Sequence, residues 1–135
     1  SAGRMFRPIR TAAGDVAAEL RELPTSHVTF QHEGTWFVLG PTGLFVVADS
    51  GDDLQQAGLV AVVGARRLRN DIASELAWIP FVDALVASDL DAPVGLPCPS
   101  VPLRMLRSTL TDGPRIVEDD KLSRIIRRRL QLLSD

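Results

Sequence analysis

The carboxylates that close an apolar run are the first chemistry this sequence offers. In WFVLGPTGLFVVADSG (36–51), apolar runs at 36–39 and 44–47 flank Gly-Pro-Thr-Gly, and the second ends at Asp49, with Asp52 and Asp53 just beyond. Acidic oxygens gathered at a strand end suit a hard divalent cation such as Mg²⁺. Such a cation polarises a phosphate and lowers the pKa of an attacking water. The plainer reading is a solvated turn, where Asp is common. On a regular strand Asp49 points away from the face shared by residues 48 and 50. Only a bulge, or a reach back from Asp52, would gather these groups.

A second chemistry is phosphate contact through arginine. Arg124, Arg127 and Arg128, with Gln131, share one face of a C-terminal helix at 100° per residue. Arg66, Arg67 and Arg69 make another basic group, and Arg4, Arg7 and Arg10 a third. The plainer reading of the C-terminal group is a solvated face that complements the helix end. Stacking partners for single strands are few, with five Phe, two Trp and no Tyr. A formal charge of −2 makes the whole molecule no electrostatic match for nucleic acid.

The other reactive residue types point to structure. Cys98, the single cysteine, lies in GLPCPS with no base nearby in sequence and reads as a small loop residue. Alone it forms no internal disulfide, and it fits a reducing, cytoplasmic setting. His27 and His32 point to opposite faces of one strand and read as surface histidines. Neither "LGPTG" nor "VVGARR" has the spacing of a phosphate-binding loop, and no serine stands in a nucleophile elbow. These residues therefore imply no cofactor.

The elements that must position these groups follow from periodicity. Length, 45% apolar and 24% charged residues suit one globular domain, expected at 11–135 behind an arm at 1–10. No apolar run is long enough to span a bilayer. Val16, Leu20 and Leu23 make one stripe and predict a helix over 11–23, ended by Pro24. Alternation predicts strands at 27–33, 35–40 and 44–50, the last apolar on both faces and so interior to the sheet. The valines of LVAVVG (59–64) predict a fourth strand. A helix is expected at 65–79 and a strand at 81–88. A loop follows at 89–100, then a short strand at 101–106, a turn through RSTLTDGP, and a closing helix at 118–133. The class is α/β (α+β): a central mixed sheet of about five strands flanked by helices.

This order, with AGDVAAELRELP (13–24) and VLGPTGLFVV (38–47), resembles the nuclease-related domain (NERD) family of the PD-(D/E)XK restriction-endonuclease-like superfamily. The resemblance is clearest over 13–51. It implies an α-β-β-β-α-β core. It also implies a metal site built from a helix Glu, an Asp-His pair before Gly-Pro-x-Gly, and a Glu-x-Lys or Asp-x-Lys pair after it. Here the helix position is Asp15, and the strand aspartate and its following histidine fall on Thr35 and Trp36. The last pair falls on Ala48 and Ser50. One charged group of four is kept. The only lysine, Lys121, lies far off in the closing helix. The expectation is a catalytically inactive nuclease-like domain that binds or scaffolds a protein or DNA partner, with no metal and with room for a homo-oligomer. The alternative is a Mg²⁺-dependent DNA nuclease with relocated ligands, Asp15, Asp49 and Asp52.

Overall fold

The structure, a computed structural model, describes residues 13–32, 35–49, 53–73, 82–89 and 95–134. Helix α1 (Ala13–Arg21) precedes strands β1 (Val28–His32), β2 (Thr35–Gly40) and β3 (Gly43–Asp49). Helix α2 (Leu54–Ala73), strands β4 (Val82–Ala87) and β5 (Ser100–Val101), and helices α3 (Leu103–Thr111) and α4 (Asp119–Ser134) complete the order. The five strands form one mixed sheet in the order β1-β2-β3-β4-β5. Short turns make β1, β2 and β3 an antiparallel meander. The α2 crossover lets β4 pair β3 in parallel, and β5 continues in parallel on β4. The expected class, the strand count and the interior place of β3 all stand.

Alternation along the strands divides the core into two layers. Phe37, Leu39, Leu44 and Val46 face α2 and α4, where they meet Leu68, Ile72, Leu122 and Ile125. Val38, Phe45, Val47 and Leu85 face α1 and α3, against Val16, Leu20, Leu106 and Leu110. Beyond the first layer, Ala48 and Val86 meet Ala57 and Ala61 of α2. Small side chains on α2 bring its axis close to the sheet. A Cβ on Gly64 would stand 3.0 Å from Val46 Cγ1, and one on Gly58 would stand 2.6 Å from Pro97.

Two expectations are corrected. Residues 59–64 are no strand but the middle of α2. Within and around them Ala57, Gly58, Ala61, Ala65, Leu68 and Ile72 are buried at helical spacing, while Leu59, Val60 and Val63 face outward. Valine's strand preference reflects packing on a pleated surface, and a helix with tertiary support overrides it. The strand expected at 101–106 keeps only Val101, and the turn expected after it is helical as far as Thr111. Pro102, at φ −65°, opens α3. Leu106 and Leu110 fill the core one turn apart, and Asp89 caps the helix by accepting the Leu103 N–H at 3.0 Å. The arm at 1–10 and the end of the expected 65–79 helix lie outside the described residues. Among the described residues no helix is long and apolar enough to cross a membrane.

The Gly-Pro-Thr-Gly segment closes β2 on β3 by a Gly40–Gly43 pair around Pro41 and Thr42. Gly43, at φ +146°, occupies backbone space that side chains disfavour. The turn is tied to the far end of the chain. The Pro41 carbonyl accepts the N–H groups of Ile116 and Val117, at 2.8 and 3.1 Å.

Candidate functional site

Thr35 and Ala48 are direct partners across the β2–β3 ladder, so their side chains share a face. Both are buried, and Ala48 packs under α2. Asp49 stands at the end of β3, one residue out of phase, and alternation assigns it to the α1–α3 face with Val47. Asp15 falls in α1, whose Val16 and Leu20 pack on that same second face. The helix carrying Asp15 and the pair Thr35–Ala48 thus belong to opposite sides of the sheet. The side chain of Asp15, and Ser50 and Asp52 entirely, lie outside the described residues. Among the described residues no three His, Cys, Asp or Glu side chains gather as a metal site would require.

Thr35 has a different neighbourhood. With Phe37 it forms the floor of a groove of about 300 Å³ between β2 and α2. The wall is the outer flank of α2: Gln56, Leu59, Val60, Val63 and Arg67. Leu59, Val60 and Val63 are 46%, 36% and 49% exposed, an unusual clustering of large apolar side chains at the surface. Beyond Val63 the surface turns basic, with Arg66 and Arg67 beside Asn70 and Asp71. Sequence reasoning missed this groove because it read 59–64 as a strand. A helical reading places Gln56, Val60, Val63 and Arg67 on one strip.

The C-terminal arginines are only partly placed. Arg124 and Arg127 are exposed on α4, and the side chain of Arg128 is outside the described residues. The layer that α4 joins lies on the α2 side of the sheet. Cys98 is half-buried, with its Sγ 3.8 Å from the Gly58 carbonyl. Burial pushes its thiol pKa up, which opposes thiolate chemistry. Burial also raises the Asp83 carboxyl on β4. That carboxyl lines a second groove of about 300 Å³ with Cys98, Pro97 and Pro99, where β5 no longer pairs with β4. A carboxylate and two prolines along an open strand edge discourage edge pairing.

His27 is more than a surface histidine. Its Nε2 lies 3.3 Å from Thr42 Oγ1, and its Nδ1 lies 3.1 Å from Ser26 Oγ. Thr42 gives its one hydroxyl proton to the Leu110 carbonyl at 2.5 Å. Thr42 therefore accepts from a protonated Nε2, and Nδ1 accepts from Ser26. This chain of bonds joins the segment just before β1, the hairpin turn and the end of α3.

Desolvation holds the His27 pKa below the usual 6.5, with the Leu110 carbonyl pulling the other way. The unfolded chain takes up the proton first as pH falls. The stability present above pH 6.5 is thus lost as pH falls through the folded value. The thermal midpoint is expected to drop between roughly pH 7.5 and 5.5, and His27→Gln is expected to flatten that limb. Unfolding followed by circular dichroism across this range checks both.

Against models of protein families, curated proteins and solved structures, this chain finds no match.

Proposed function

We propose that this chain is a catalytically inactive, nuclease-like binding module whose working surface is the β2–α2 groove. One observation carries the reading. At the positions that the nuclease-related resemblance assigns to metal-binding carboxylates, Thr35 and Ala48 are buried side by side, and Thr35 opens onto apolar walls. A hydroxyl and a methyl group do not supply the anionic oxygens that Mg²⁺ requires. The apolar stripe of α2 favours a protein partner over DNA, because stacking aromatics and a continuous basic track are what a nucleic acid would want. A single cysteine, free in the structure, is in keeping with a reducing, cytoplasmic setting.

Incubation of the purified chain with supercoiled plasmid and Mg²⁺ or Mn²⁺ tests the reading. The plasmid is expected to stay intact. Cleavage that disappears in Asp49→Ala or Asp52→Ala would establish the relocated-ligand nuclease instead. DNA binding that weakens steeply with salt would shift the partner from protein to nucleic acid.

A further inference from the structure

We propose that the partner of the groove is a second copy of this chain, joined by antiparallel pairing of the two α2 helices about Val60. The inference rests on reading the groove as a binding surface and adds the identity of what fills it. Asp53, Val60 and Arg67 are spaced seven residues apart. At that spacing a helix drifts by only about 20° per step, so Val60 and Arg67 of α2 and the capping Asp53 just before it lie nearly on one line. Asp53 and Arg67 are each about 10 Å from Val60 along the axis.

A twofold axis through Val60 sets each Asp53 opposite the Arg67 of the other copy. It also lays the apolar stripe of each helix over the groove of its mate. Such a surface is self-complementary in both charge and polarity, as an isologous interface must be. A parallel arrangement would set arginine against arginine. The N-terminal arm is a poor occupant by the same test: residues 1–12 carry Arg4, Arg7 and Arg10 and no acidic residue, and they would meet Arg66 and Arg67. Asp53 also accepts the Gln56 N–H at 3.1 Å, which holds its carboxylate at the head of the helix.

One helix pair buries little area, below about 1,200 Å². A reversible equilibrium is therefore expected, not a permanent dimer. Sedimentation equilibrium of the full chain, from micromolar to about 1 mM, is expected to show monomer passing to dimer, with weaker association at high salt. Val60→Asp places two carboxylates on the axis and is expected to weaken the dimer by roughly tenfold or more. Leu59→Gln, a gentler change at another exposed position, is expected to weaken it less, with an unchanged circular dichroism spectrum. A chain that stays monomeric throughout, or a dimer indifferent to both substitutions, overturns the proposal. Neither result touches the plasmid assay, so loss of the dimer and loss of the binding-module reading remain separate outcomes.

Discussion

Phe37→Ala is expected to cost about 3–5 kcal/mol of folding stability, the largest effect of any single change considered. Phe37 is 1% exposed and sits in the core layer between the sheet and helices α2 and α4. It packs with Leu39, Val46 and Leu68 in the core, a Cβ on Gly64 would come within 3.7 Å of its ring, and its outer edge floors the groove. Truncation removes the ring's transfer energy and leaves a cavity that a helix already close to the sheet has little freedom to fill. Against a total of about 5–15 kcal/mol for a typical domain, such a loss leaves the variant barely folded. Urea unfolding measures it directly. Val60→Ala on the same groove makes the comparison, since an exposed site is expected to stay within about 0.5 kcal/mol. A Phe37→Ala cost below about 1 kcal/mol would contradict the packing described.

Gly40→Ala is expected to be the second most damaging substitution, although it adds only a methyl group. A Cβ at residue 40 would lie 2.2 Å from His27 Cδ2 and 2.7 Å from Nε2. The backbone of Gly40 needs no unusual torsion; the requirement is that the imidazole lies directly on it. The added methyl expels the ring, and with it go the contacts to Ser26 and Thr42. Overpacking combined with a broken polar chain is expected to cost about 2–3 kcal/mol. A second readout is independent of stability. The expelled imidazole regains water, so its titration by NMR is expected to rise toward 6.5 from its lowered native position. An unmoved titration in Gly40→Ala would mean that the ring does not pack where described.

The sequence disclosed the fold unevenly, for physical reasons. The meander was legible because β1 alternates and because Gly-Pro-Thr-Gly admits one tight reversal, so strand limits fell within a residue or two. The phase of Asp49 was legible too, since side-chain direction on a strand follows from counting. Helix α2 was not, because it carries apolar residues on two sides. Ala61, Leu68 and Ile72 are buried, while Leu59, Val60 and Val63 stay outside, so LVAVVG shows no clean stripe. The same ambiguity hid the groove. For α3, Leu103, Leu106 and Leu110 have helical spacing, but Pro102 and a short segment masked it. The bonds of His27 depend on Leu110, 83 positions later, and no local pattern announces such a partner. Substitution of the expected metal ligands was legible residue by residue. The placement of Asp15's helix across the sheet from Thr35 and Ala48 needed the structure.

The ties from Pro41 and Thr42 to Leu110, Ile116 and Val117 bear on how the chain is made. Helix α1 and the three-stranded meander leave the ribosome before α2, α3 and α4, and the meander has both of its faces apolar. One face waits for α2 and α4, the other has α1 but waits for α3, and the hairpin tip waits for the Leu110 carbonyl and the amides of Ile116 and Val117. Until α3 and α4 emerge, the nascent sheet has no complete cover. In that interval Val38, Phe45 and Val47 lack the cover of α3 and are the side chains most open to other unfinished chains.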